Sequence, residues 1–374
     1  MKIVIAPDKF KGSLSGIEFC EIVEKNILDL SPNTKILKLP LADGGDGTIE
    51  VINYYLKGKF IEVIVNNPFF KPVKASYLFS ETSKTAFIEM AEASGVKLLQ
   101  KEELNCIEAT TFGTGELIID ALEKGATTII LGIGGSASND CGIGMATALG
   151  YQFLDEKYNE VKPIGKNLSK VISIDTSKVH PLLKETTFKI ACDVTNPLYG
   201  ENGAAFVYAA QKGASKEDMK CLDEGLQHVS KLIKRNYNVN PQEVKGAGAA
   251  GGMGIASKVF LKGELISGIT LVKELANFDE NLKETDWVIT GEGRLDSQTM
   301  FGKVIQGVLE SANKHNICAA VFCGSITVEE DFLIEMGISH LDSVITKAGN
   351  LEDAILNGNE YLAKITSEFV EKNF

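Results

Sequence analysis

Histidine is scarce in this chain. There are four in 374 residues, and no two stand at helical spacing. C-x-x-C is absent too, which argues against a structural zinc site. The seven cysteines, at 20, 106, 141, 192, 221, 318 and 323, are scattered rather than spaced as a disulfide framework. Free thiols suit a reducing compartment. No apolar stretch approaches the ~18 residues that a membrane span needs. The start, MKIVIAPDKFKGS, carries one Lys before an apolar run too short for a signal peptide, so the cytoplasm is the expected location. G-x-x-x-x-G-K-[ST], the H-R-D and D-F-G pair and a G-x-S-x-G elbow are all missing, which sets aside P-loop proteins, protein kinases and serine hydrolases. Positive charge is in deficit, with 38 Lys and Arg against 50 Asp and Glu and a net charge of −12. Such a surface repels nucleic acid and anionic lipid, so neither is an expected partner. A phosphate-bearing ligand would need a local cluster of cations or a metal ion.

What is present is ordinary for a globular protein: 44% apolar and 24% charged residues, in a chain long enough for about two domains. KIVIA, residues 2–6, predicts a buried parallel strand. Ser15 and Glu18, in S-x-x-E, predict a capped helix with Phe19, Ile22, Val23, Ile27 and Leu30 on one face. TKILKLPLA predicts a second strand, followed by DGGDGT and a helix through about Leu56. Strand, loop and helix, twice over, is the pattern of an open parallel sheet with helices on its faces. FIEVIVNN, KPVKASYLF and KTAFIEMAEAS then predict an antiparallel meander. TGELIIDALEKG reads as a helix, ATTIILG as a strand, FKIACDVTNPLYG as a strand into a turn, and SKEDMKCLDEGLQHVSKLIKRNY as an amphipathic helix. GAGAAGGMG carries no assignable element. From Asp286 the alternation returns: strand DWVIT, a helix with Val304, Ile305, Val308, Leu309 and Ala312 on one face, strand CAAVFCG, a helix near 329–336, strand LDSVIT and a terminal helix. The two ends thus predict one α/β domain, with a second α/β domain inserted between about 70 and 285.

Four strand-end loops mix glycine with carboxylates or small polar residues: 8–15, 43–48, 132–140 and 291–296. In open α/β sheets ligands sit at the carboxyl ends of strands, and glycine lets backbone N–H groups approach an anion. Each loop alone also reads as a tight turn. Asp43 and Asp46 flank two glycines, a pairing that suits Mg²⁺ shared with phosphate oxygens. Asp46 equally suits the N-cap of the helix opening near Gly47. Lys9 and Lys11 alternate with Phe10. In an extended loop both amines would lie on one side, as partners for phosphate or carboxylate or as solvated surface. Arg294 stands between Glu292 and Asp296. It can grip a substrate carboxylate with its fork or pair with either acid. Asp193, in ACDVTNP, can act as a general base, hold a metal, or bond its own turn. GAGAAG, 246–251, matches G-x-G-x-x-G, but no apolar strand precedes it. An NAD(P)-dependent oxidoreductase of a small hydroxy acid is therefore the alternative reading, and a two-domain sugar-acid receptor a third. Acids, amines and glycine loops without His or Cys machinery favour phosphoryl transfer to a small molecule, which needs positioning and charge neutralisation more than covalent catalysis.

APDKFKGSLS, PLADGGDGT, FGTGELI, GIGGSASND, ACDVTNPLYGENGAA, GAGAAGGMG and VITGEGRLDSQT, in that order over essentially the whole chain, resemble the bacterial glycerate kinases of the type I family. GIGGSAS alone is also similar to the phosphate loop of the GHMP kinases, without the rest of that pattern. One loop departs from the family: SNDCGIGM has Cys141 and Ile143 where a more glycine-rich run is expected. The resemblance implies ATP-dependent phosphorylation of D-glycerate with Mg²⁺, the usual product being 2-phosphoglycerate, in a cleft between two dissimilar α/β domains. One would be Rossmann- or flavodoxin-like with a parallel sheet, from 1–70 and 286–374; the other an inserted mixed-sheet domain, 71–285. A homodimer is compatible with it. Under this reading Lys9, Lys11 and Lys303 neutralise phosphates, with Lys9 at the reacting centre. Gly134, Gly135, Ser136 and Ser138 hold the nucleotide, and Asp43 and Asp46 carry the metal. Arg294 holds the glycerate carboxylate, with Lys11 and Glu292 beside the substrate. Asp296 or Asp193 orients the accepting hydroxyl and takes its proton.

Overall fold

The computed structural model describes residues 1–45, 47–296, 304–327 and 336–374. Asp46, Lys303 and all but the last residue of the helix expected near 329–336 lie outside the described residues. The chain forms two compact units, Met1–Tyr55 with Ser267–Phe374, and Leu56–Ile266. Among the described residues no helix is long and apolar enough to cross a membrane.

The chain opens with β1 (Lys2–Ile5), α1 (Gly16–Leu30), β2 (Lys35–Lys38) and α2 (Thr48–Leu56). The capping box forms as predicted: Ser15 N donates to Glu18 Oε2 at 2.8 Å, and Glu18 N to Ser15 Oγ at 3.2 Å.

In the second unit, β3 (Lys59–Asn66), β4 (Pro72–Ser80) and β5 (Thr85–Glu89) make the antiparallel meander. After the short helix α3 (Ala91–Ser94) and α4 (Phe112–Glu123), β6 (Thr128–Gly132) pairs in parallel with β5. There follow α5 (Ile143–Ala148) and a separate antiparallel pair, β7 (Gln152–Leu154) with β8 (Ser173–Asp175). β9 (Thr187–Ala191), α6 (Ala204–Tyr208), α7 (Lys216–Tyr237), α8 (Ala249–Phe260) and β10 (Glu264–Ile266) complete the unit. Its main sheet is mixed, in the order β10-β9-β6-β5-β4-β3. α7 has its own capping box, Ser215 with Asp218, and buries Leu222, Leu226, Val229 and Ile233 at helical spacing. GAGAAGGMG, unassigned from sequence, contains the start of α8, which winds through left-handed backbone at Ala250, Gly251 and Gly252. A Cβ on Gly251 would meet Ser138 O at 2.4 Å, so this glycine serves contact with the chain's own 138–141 segment. A short turn, Pro241–Glu243, rather than a strand, precedes the run, and the strand-turn-helix setting of a dinucleotide fingerprint is missing.

The chain then returns to the first unit with α9 (Gly268–Leu275), α10 (Phe278–Asn281), β11 (Trp287–Thr290), β12 (Arg294–Leu295), α11 (Val304–His315), β13 (Cys318–Cys323), β14 (Ser325–Ile326), β15 (His340–Ser343), α12 (Leu351–Leu356) and α13 (Gly358–Asn373). The main sheet has five strands, β15-β13-β11-β1-β2, all parallel. Ranked by their order along the chain within this unit, the strands run 2-1-3-4-5, the flavodoxin-like arrangement. Ile3, Ile5, Ile289 and Phe322 pack on one face with Phe19 and Val23 of α1 and Leu362 and Phe369 of α13. The alternate positions Val4, Val288, Ala319 and Val321 are fully buried too, as expected of a parallel sheet covered on both sides. Each buried Val, Ile, Leu or Phe among them contributes roughly 1.5–3 kcal/mol on burial. Val304, Ile305, Val308, Leu309 and Ala312 of α11 are all buried, the face read from sequence.

Both unit boundaries fall earlier than 70/71 and 285/286. β3 is paired along its whole length with β4, which ties residues 59–66 to the second sheet. α9 and α10 are bound to α11 instead: Lys273 Nζ donates to Gly307 O at 2.9 Å and to Ser311 Oγ at 2.6 Å, and Ser311 Oγ donates to Asp279 at 2.6 Å.

Candidate active site

The 2-1-3-4-5 order reverses its winding between β1 and β11, and open α/β sheets bind ligands outside the carboxyl ends of their strands at such a point. Here the ladder continues past the strands into the loops. Ala6 N donates to Ile289 O at 2.7 Å and Asp8 N to Gly291 O at 2.8 Å. On the other side Leu39 N donates to Ile5 O and Leu41 N to Pro7 O, both at 2.8 Å. Three strand ends thus run out in register, and each next offers a carboxylate: Asp8, Asp43 and Glu292.

These acids feel one another. Burial drives the Asp8 carboxyl up to about 7, and the Asp43 and Glu292 charges push the same way, against the Lys9 amide bond and the Lys9 charge. The Lys9 amide donates to Asp8 Oδ1 at 2.7 Å. Asp43 Oδ1 accepts from Gly45 N at 3.0 Å. Glu292 is only 6% exposed. Asp8 is the candidate site residue that sequence reading passed over. Its signal was its place, directly past an apolar strand, but the neighbouring lysines drew the attention.

The 8–15 loop does not stay extended. Phe10 N donates to Leu14 O at 2.7 Å and Leu14 N returns a bond to Phe10 O at 3.0 Å. Phe10 is buried against Phe19, ring centroids 5.5 Å apart, and this anchor folds the loop into a tight turn. Lys9 is half-buried with its stem beside Gly47, while Lys11 is exposed. A Cβ on Gly293 would lie 3.1 Å from Lys11 N and 3.3 Å from Phe10 Cα, so glycine there lets the 8–15 and 291–296 loops touch. Arg294 pairs with Asp296 rather than Glu292, at 3.8 Å from Nε to Oδ2, with its side chain 65% exposed against 27% for Asp296. A single long contact in that setting is weak.

The second unit carries its own glycine loop beyond β6. Gly134 and Gly135 are exposed; Ser136 and Ser138 are buried. The loop is tied to its neighbour by Val96 N to Gly135 O at 2.9 Å and Ala137 N to Ser94 O at 2.8 Å. Asp140, fully buried, closes it by accepting from Thr111 N and Oγ1, both 2.8 Å, Gly142 N at 3.1 Å and Gly144 N at 3.2 Å. Burial raises the Asp140 carboxyl, against those bonds. Asp193, past the end of β9, is exposed. The structure therefore gathers Asp8, Lys9, Lys11, Asp43, Glu292, Arg294 and Asp296 at the carboxyl edge of the first sheet. Gly134, Gly135, Ser136, Ser138 and Asp193 lie past strand ends of the second.

Comparison with known proteins agrees over the whole length. The model of the glycerate kinase family matches residues 3–372. The chain is 44% identical over 354 residues to the glycerate 2-kinase of Escherichia coli (strain K12), covering 95% of this chain and 93% of the relative. It is 43% identical over 354 residues to the glycerate kinase of Bacillus cereus (strain ATCC 10987 / NRS 248), with the same coverage. A crystal structure of a glycerate kinase 2 from Salmonella typhimurium LT2 superposes with a TM-score of 0.88 at 40% identity, covering 100% of this chain and 98% of that one. On these matches, and with the fold and loop motifs described, the chain belongs to the glycerate kinase family.

Proposed function

We propose that the protein transfers the γ-phosphoryl group of ATP to the 2-hydroxyl of D-glycerate, giving 2-phosphoglycerate and ADP, with Mg²⁺ as the metal. The observation that carries this reading is the convergence of Asp8, Asp43 and Glu292 with Lys9 and Arg294 at the β1/β11 switch point. The name of the Escherichia coli relative supports the choice of hydroxyl.

Among the described residues no three metal-ligand side chains converge closely enough to enclose an ion unaided. Mg²⁺ does not need that. It takes one or two carboxylates and completes its shell with phosphate oxygens and water. The hard oxygens of Asp43, with Asp8 and Glu292 nearby, fit it, and Asp46 is the other acid of the same loop. When bound, the ion neutralises phosphate charge.

The chain's own groups do the rest. Arg294 meets the glycerate carboxylate with a two-pronged bond, with Lys11 and Glu292 beside the substrate. Lys9, Lys11 and Lys303 offset the phosphates, and the Gly134–Ser138 stretch cradles the nucleotide. As the 2-hydroxyl oxygen bonds phosphorus, the bond to the ADP oxygen breaks and the hydroxyl proton needs an acceptor. Asp8 has the strongest claim by position, past the end of β1 with Asp43 and Glu292 on either side, and burial raises its basicity in the free protein. Asp296 and Asp193 are the other two candidates.

Phosphorus NMR of the product from D-glycerate, ATP and Mg²⁺ tests the proposal. A 2-phosphoglycerate resonance with equimolar ADP is expected. 3-Phosphoglycerate would overturn the choice of hydroxyl, and no ATP consumption would overturn the donor.

A further inference from the structure

Lys212 is 4% exposed, and its ammonium reaches under the second unit's glycine loop. Nζ donates to Ser136 Oγ at 2.6 Å and to Ser138 O at 2.8 Å. Among the described residues no carboxylate comes within 4.0 Å of it. Asp140 acts on it only at longer range, and its oxygens are engaged by Thr111, Gly142 and Gly144. Cys106, which also faces it, is held as a neutral thiol by burial, its pKa pushed up to about 11. Asp218, whose charge acts on Cys106, is engaged in the Ser215 capping box. A buried ammonium without a paired anion is costly, and proteins keep one only for a purpose.

The same loop holds a second anomaly. Ser138 Oγ and both polar atoms of the Asn139 side chain are buried without a hydrogen-bond partner, and both residues are fully buried. Buried polar groups are nearly always satisfied, so an uncompensated cation and three unpartnered atoms on consecutive loop residues point to a ligand. Gly134, on the exposed side, has nothing within 4 Å of where a Cβ would stand, leaving room for an anion against the backbone.

We propose that Lys212 is a positioning residue of a phosphate-binding loop. It holds residues 136–138 from beneath so that Gly134 and Gly135 face an ATP phosphate, and it supplies the positive charge that the phosphate answers. This rests on the reading of 132–140 as the nucleotide loop. Lys212 acts through Ser136 and the Ser138 carbonyl.

Desolvation lowers Lys212 to about 8, with Cys106 and Asp140 acting against that shift. The charge is therefore lost as pH rises through about 8. Steady-state kinetics on the full chain, with ATP and D-glycerate varied separately, test the proposal. In the wild type the KM for ATP is expected to climb above about pH 8, while the KM for D-glycerate does not. Lys212→Met is expected to raise the KM for ATP about tenfold or more at neutral pH and to abolish that climb. Should this variant fail to fold, Ser136→Ala removes one of the two tethers and is expected to raise the KM for ATP severalfold. Gly134→Ala tests the underlying reading, because the chain itself tolerates that methyl and a phosphate would not. If Gly134→Ala raises the KM for ATP and Lys212→Met leaves it unchanged, Lys212 has no such role. If both leave it unchanged, the loop does not hold the nucleotide. A rise confined to the KM for D-glycerate would assign the anion to the substrate carboxylate and overturn the phosphate reading.

Discussion

Asp8→Asn should make the protein more stable while disabling it. Asn keeps the shape of the carboxyl and can still accept the Lys9 amide bond at 2.7 Å. It removes a charge that burial and two neighbouring carboxylates oppose, lifting the pKa from 3.8 to about 7. At 1.36 kcal/mol per unit, that shift corresponds to about 4 kcal/mol against the folded, ionised state. The sign follows from linkage. Below 3.8 the carboxyl is neutral in both folded and unfolded chains, so variant and wild type should match. As pH rises from 3.8 to about 7 the wild type progressively loses stability that the variant keeps. Urea denaturation followed by far-UV circular dichroism, repeated from about pH 4 to about pH 8, reads this directly. The variant should gain up to about 4 kcal/mol at the upper end, while kcat falls at least about a hundredfold at neutral pH. A variant no more stable than wild type at about pH 8, or a difference that does not shrink on acidification, would refute the account of the acid cluster.

Three further outcomes follow from the same geometry. Arg294→Lys keeps the charge and loses the fork, so the KM for D-glycerate should rise about tenfold with that for ATP little changed; an unchanged glycerate KM would remove Arg294 from the substrate. Asp43→Asn should raise the Mg²⁺ concentration needed for half-maximal rate, and an unaltered Mg²⁺ titration would remove it from the metal. Phe10→Ala should cost roughly 3–5 kcal/mol by emptying the site against Phe19, measured by denaturant midpoint, because the anchor of the 8–15 loop is gone.

The first unit was legible because its signals are local. An apolar run gives β1, S-x-x-E gives the start of α1, and helical spacing from Val304 to Ala312 gives the buried face of α11. Long-range facts were not legible in the same way. The Lys212 tether joins residues 76 apart, and nothing in AAQKG hints at it. The membership of residues 59–66 depends on pairing with β4, and that of Gly268–Leu275 on bonds to α11, neither of which periodicity encodes. The GAGAAGGMG run resisted assignment because its glycines answer contacts with a distant loop as much as local backbone preference. Asp8 lay in a loop that was singled out, yet its raised carboxyl comes first from burial in the folded chain and then from Asp43 and Glu292, residues from two other strand ends.

The central claim is that the loops beyond β1, β2 and β11 receive the substrates. Hydrogen exchange followed by mass spectrometry, on the full chain with and without Mg²⁺, ADP and D-glycerate, measures this without any mutation. Slowed exchange in residues 6–15, 39–45 and 291–296 on ligand addition is the expected result. Protection confined to other segments, with these three exchanging as in the free protein, would contradict the assignment.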